Sequence, residues 1–161
     1  MSKAFTRESD DAPEGRPLPR LNPALPSGAK NYLTVSGAQR LREELESLLA
    51  ARTTAASKPT PESERRIGQL QQSLATAVIV PPPAPPWEQV RFGASVTVRD
   101  QSGQPTTYRI VGVDETDVDQ EWVSWLSPIA RALLNARLGE RVRFKFPAGE
   151  TELEISGIAY E

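Results

Sequence analysis

Cysteine and histidine are both absent from the 161 residues. Without cysteine no disulfide staples the fold, and the soft metal ligands are missing. Without histidine the commonest general base is missing as well. A reducing cytoplasm is permitted by this composition rather than required by it. No apolar run approaches the ~18 residues that read as a bilayer span. Met1 to Gly15 also lacks the apolar middle of a secretory signal, so a cytoplasmic location with no membrane partner is the expectation. Strong charge of one sign is lacking too: the net charge is −2. Residues 31–80 carry six basic and five acidic side chains, and residues 88–161 carry eight and twelve. Neither half has the basic excess of a phosphate-tracking surface, which leaves a protein as the default partner.

The length allows one ordinary domain or two small ones. Residues 1–30 read as a disordered, proline-rich tail with few large apolar side chains. A short linear motif near Phe5 or Leu18 is the functional alternative. Order begins at Tyr32-Leu33-Thr34. Ser36 with Gln39 fits a capping box, and Thr34 competes as the cap. Ala38, Leu41, Leu45 and Leu48 then mark one stripe of a helix from about Val35 to Arg52. After TTAASKPTP, Thr60 caps a second helix with Pro61 at its first position and Glu62 at the positive end of its dipole. Ile67, Leu70, Leu74 and Ala77 repeat the stripe, and Glu62–Arg66 fits an i, i+4 pair. Two such helices on a short connection fold back as an antiparallel hairpin over 31–80. Val78-Ile79-Val80 is expected to end the arm and begin the cover of the next domain. Residues 81–87 are a proline-rich linker, a semi-rigid spacer rather than a ligand for a proline-binding module.

Residues 88–161 alternate as strands. Gly93–Arg99 and Thr106–Val113 flank a turn at Asp100–Gly103, and Trp122–Leu126 is a third strand. Ser127-Pro128 then starts a short helix carrying Ile129, Leu133 and Leu134, with Gly139 ending the run. Val142, Phe144 and Phe146 alternate with Arg141, Arg143 and Lys145, and Pro147–Glu150 turns the chain back. With Phe144 opposite Leu153, Arg143 falls near Glu154 and Lys145 near Glu152, which neutralises that face and weakens a nucleic-acid reading. The acidic run Asp114–Glu121 can place Asp117, Asp119 and Glu121 on one side for a hard cation. It lacks the spacing and glycine of a calcium loop and reads as a solvated turn. The expected class is α+β: a helical hairpin followed by an antiparallel sheet packed on one short helix.

SPIARALL (Ser127–Leu134), RIVGVDE (Arg109–Glu115), FGA (Phe92–Ala94) and PAGE (Pro147–Glu150) together resemble the C-terminal domain of the bacterial Gre transcription factors, in the manner of GreB. The order and spacing match over roughly 88–160. The resemblance implies an FKBP-like sheet domain behind a hairpin that opens with a Leu-Thr-x-x-Gly start, here Leu33, Thr34 and Gly37. It also implies a partner, bacterial RNA polymerase, whose secondary channel the arm enters. The polymerase-contacting positions that the resemblance implies are Leu126, Ser127, Pro128 and Arg131, and Leu126 stands where the family usually has an acid. A leucine there resembles Rnk, a short-armed relative without the acidic tip.

Cleavage-stimulating Gre factors carry a D-x-x-E-N-A type motif at the hairpin tip, which helps hold the second Mg²⁺ of the polymerase. Two-metal chemistry needs acidic oxygens converging on one ion. From Arg52 to Pro61 there is no carboxylate. Glu62 and Glu64 point about 200° apart on a helix and cannot share an ion. The arm is also several turns shorter than the cleavage-competent form. The expectation is a monomeric elongation factor that binds polymerase without transcript cleavage, not itself an enzyme and needing no cofactor or metal of its own. A peptidyl-prolyl isomerase with Trp122 or Trp125 flooring its pocket is the enzymatic rival, by fold analogy alone. An adaptor unrelated to polymerase is the third reading.

Overall fold

The computed structural model describes residues 25–54 and 58–161. The expectations for residues 1–24, including Phe5 and Leu18, and for residues 55–57 at the hairpin tip lie outside the described residues. Lys30 leads into β1 (Asn31–Thr34), followed without a break by α1 (Val35–Thr54). The return helix α2 (Pro61–Thr76) runs directly into β2 (Ala77–Val80). Next come β3 (Ser95–Arg99), β4 (Pro105–Val111), β5 (Trp122–Ser124), α3 (Pro128–Leu133), β6 (Arg141–Phe146) and β7 (Gly149–Ala159).

The helical hairpin forms as its stripes predict. Leu33, Ala38, Leu41 and Leu70 are buried together, with Leu45, Leu48 and Leu74 packed on them. Thr60 caps α2 by accepting the Ser63 amide at 3.1 Å. At α1 the competition between caps resolves in favour of Thr34, whose hydroxyl accepts the Gly37 amide at 2.9 Å. Gln39 turns outward to Glu43, so the Ser36/Gln39 capping box does not form. Arg66 departs from its expected partner as well. It reaches across the hairpin to Glu44 rather than along its own helix to Glu62.

Ala77–Val80 does not cover the sheet domain. It pairs in parallel with β1, Asn31 against Ala77 and Thr34 against Val80, closing the hairpin base in a two-stranded sheet of its own. Strands continuing straight from an antiparallel hairpin would pair antiparallel, so the chain reverses at a helix–strand junction. No four-residue pattern announces that reversal.

The second sheet has the order β5-β4-β3-β7-β6. It is mixed rather than purely antiparallel, because β5 runs parallel to β4, with Arg109 against Trp122. The crossover between them is the loop from Gly112 to Glu121. Val96, Val98, Ile110, Leu133, Leu153 and Ile155 form the core beneath α3. Each such side chain contributes roughly 1.5–3 kcal/mol by leaving water. α3 ends at Leu133, earlier than Gly139 suggests: Leu134 is already extended at ψ 136°, and Asn135 follows in a left-handed φ of 69°. Gly139 (φ 83°) belongs to the turn before β6. In the β6–β7 pair the register differs by two residues from expectation: Val142 faces Leu153, and Phe144 faces Thr151. Arg143 therefore meets Glu152 and Lys145 meets Glu150, so the charges still alternate across the pair.

Candidate functional site

The Ser-Pro corner is built as its sequence dictates. Ser127 is the N-cap of α3 and accepts the Ala130 amide at 3.3 Å, with Pro128 at the first helical position. The fully buried Ser124 holds the approach, its hydroxyl accepting the Leu126 amide at 3.1 Å and its carbonyl the Ser127 amide at 2.9 Å. Trp125 donates its backbone amide to the Val111 carbonyl at 2.9 Å, which ties the corner to the end of β4. Pro128 and Arg131 are exposed, and Arg131 makes no ion pair among the described residues. Leu126 is only 9% exposed, so its side chain belongs largely to the interior and offers a partner little surface. The Ser127 hydroxyl is likewise committed to the cap.

Both Trp122 and Trp125 pack against side chains at the hairpin base. The ring of Trp122 carries the guanidinium of Arg40 at 4.4 Å and that of Arg109 at 4.7 Å. Trp125 packs edge-on to Tyr32 at 5.1 Å, and Tyr32 in turn touches Phe92 at 5.8 Å. Arg109 is buried between the two parts of the molecule, donating to Ser36 Oγ at 3.0 Å and pairing with Glu161 at 2.8 Å.

The acidic run is not uniformly a solvated turn. Asp117 fits that reading, accepting from the amides of Asp119 and Gln120 in its own loop. Asp117, Asp119 and Glu121 do not converge on a cation position. Glu115, by contrast, is 5% exposed and reaches the hairpin base. It accepts the Thr34 amide at 3.0 Å, the Gly112 amide at 2.7 Å, and the Thr34 hydroxyl. Asp114 accepts the Ser73 hydroxyl of α2. The sequence reading missed both contacts. The signals available were a threonine cap on a helix with no acid in its first turn, and glycines at 37 and 112.

Midway along α1, Glu44 forms a two-pronged ion pair with Arg66 at 2.6 and 2.7 Å. The Arg66 hydrogen bond holds the Glu44 carboxyl below its ordinary value and raises the guanidinium in turn. Arg52 Nε lies 3.2 Å from Glu64 Oε1, close enough for an ion pair but without hydrogen-bond alignment. Glu64 is thereby engaged along the hairpin, while Glu62 is exposed.

Three of the four motifs, FGA, RIVGVDE and the residues leading to SPIARALL, thus meet around the hairpin base. PAGE lies apart, in the β6–β7 turn. Residues 84–160 match the family model described as "Transcription elongation factor, GreA/GreB, C-term". Transcription elongation factor GreB of Neisseria meningitidis serogroup B is 36% identical over 154 residues, covering 81% of this chain and 94% of that protein. The chain belongs to the GreA/GreB family of transcription elongation factors. Its GreA-type relatives include that of Alkalilimnicola ehrlichii, 36% identical over 156 residues, covering 82% of this chain and 99% of the relative. Among solved structures, a GreA/GreB factor from Nitrosomonas europaea is 25% identical, with a TM-score of 0.44 over 81% of this chain and 100% of that one. Gfh1 of Thermus thermophilus is 23% identical, with a TM-score of 0.42 over 81% and 99%. The GreA/GreB model match begins inside the proline-rich linker, so the hairpin lies outside it. Among the described residues, no helix of this GreA/GreB protein is long and apolar enough to cross a membrane.

Proposed function

We propose that this GreA/GreB-family factor docks as a monomer on bacterial RNA polymerase, in the cytoplasm, and does not stimulate transcript cleavage. The corner Ser127-Pro128-Arg131 meets the rim of the secondary channel, and the short hairpin occupies the opening. Support for docking comes from the rigid presentation of Pro128 and Arg131 on a capped turn. Leu126, 9% exposed, offers the partner little surface of its own. With no acid at this position, the contact lacks one charge-assisted hydrogen bond, worth ~1.5–3 kcal/mol.

The non-catalytic part rests on one observation above all: the ten residues from Arg52 to Pro61 contain no carboxylate. The nearest acids, Glu62 and Glu64, follow on one helix at a spacing that directs them about 200° apart. Arm length points the same way. An alignment of 154 positions holds only 81% of a 161-residue chain, so part of the Neisseria relative has no counterpart here. α1, at 20 residues, spans about 30 Å.

Competition tests the docking. Labelled GreB is bound to core polymerase, and this protein is titrated in. Displacement of GreB supports the shared site, whereas binding to polymerase that leaves GreB in place contradicts it.

A further inference from the structure

The amino end of α1 presents amide groups without intrahelical partners and the positive end of a helix dipole. Its first turn contains no acidic residue of its own. The anion there comes from the other part of the molecule, the Glu115 carboxylate near the start of the loop following β4. Oε2 accepts two amides, from Thr34 and Gly112, and Oε1 accepts the Thr34 hydroxyl. The same hydroxyl oxygen accepts the Gly37 amide, so one threonine both caps the helix and holds the carboxylate. All the partners around the two oxygens are donors, an environment that suits a carboxylate and not an amide.

The socket is cut to fit. A Cβ on Gly37 would stand 1.5 Å from Glu115 Oε1. One on Gly112 would stand 2.2 Å from the Tyr32 carbonyl oxygen and 2.9 Å from Glu115 Oε2. The neighbouring Asp114 takes hold of α2 through Ser73, which Asn31 Nδ2 also approaches at 3.3 Å. Gly112 to Glu115 therefore grips both helices where they leave the sheet domain, and the corner begins from the same end of β4.

We propose that Glu115 is a positioning residue that fixes the direction of the hairpin relative to the Ser127–Arg131 corner. The inference builds on the reading that arm and corner engage polymerase together. Its first test, however, needs only the free protein. The absence of cysteine lets spin labels be attached at Ala50→Cys on α1 and Lys145→Cys on β6, both exposed positions.

Pulsed electron paramagnetic resonance then reads the distance distribution between the labels. The parent and Thr34→Ser, which keeps the hydroxyl, should give one narrow distribution. Glu115→Gln and Thr34→Val should at least double its width while circular dichroism still reports the helices. Unchanged widths in both variants would overturn the proposal. So would loss of hairpin helicity in both, since Glu115 would then be a folding element and not an orienting one. Polymerase affinity measured on the same set separates the two ideas. If the docking reading fails, no protein in the set binds, parent included, while the distance result stands by itself.

Discussion

The guanidinium of Arg66 closes on the carboxylate of Glu44 from the opposite helix, at 2.6 and 2.7 Å, as a polar clasp across the hairpin. Both side chains remain about two-fifths exposed, so solvent screens the pair and its contribution stays below about 1 kcal/mol. The Glu44 carboxyl titrates below its unfolded value in the folded chain. Its contribution is therefore present in full above the unfolded glutamate range, near pH 4.3, and fades as the pH falls through the lower folded value. Glu44→Gln should cost a few tenths of a kcal/mol at neutral pH, by urea unfolding. The difference from the parent should shrink as the pH falls below the ordinary glutamate range.

Glycine inside an exposed helix is ordinarily worse than alanine by about 1 kcal/mol, so Gly→Ala replacement normally stabilises. Gly37 should reverse that sign, because the added methyl collides with the Glu115 carboxylate. Gly37→Ala alone should lower the unfolding midpoint. In a Glu115→Ala background the same change should raise it, through a gain in stability of up to about 1 kcal/mol. A double-mutant cycle read by thermal unfolding measures the coupling directly.

At the Ser-Pro corner, structural and binding roles separate by residue. Ser127→Ala removes the α3 cap and should cost ~1 kcal/mol of stability. Arg131→Glu alters an exposed side chain and should change stability by less than about 0.5 kcal/mol. It should nonetheless weaken polymerase binding by on the order of tenfold or more, in an equilibrium titration with core enzyme.

What the sequence made legible was local. The helix stripes, the caps at Thr60 and Ser127, and the β3–β4 hairpin all rest on interactions within a few residues, where periodicity and capping chemistry decide. The parts it concealed depend on distant pairing. Asn31 meets Ala77, 46 positions away, through a strand too short for a pattern to emerge. The β6–β7 register escaped because a slip of two residues keeps each side chain on its own face; only a slip of one would have violated the pattern. Glu115 was hidden by its company, since an acid among four others reads as solvated until its opposite wall, the start of α1, is in place. At the candidate site the exposed Pro128 and Arg131 were readable from the motif. The inward turn of Leu126 was not, because the motif by itself does not say which side of the turn is covered.

The stretch from Arg52 to Pro61 carries no acidic oxygens with which to complete a two-metal centre. Halted, backtracked elongation complexes carrying 3′-labelled RNA test it most directly, incubated with Mg²⁺ and this protein under conditions where GreB releases 3′ fragments. The protein should co-purify with the complexes and leave the label in full-length RNA, at the rate seen with polymerase alone. Rapid release of short 3′ fragments, dependent on the added protein, would contradict the account.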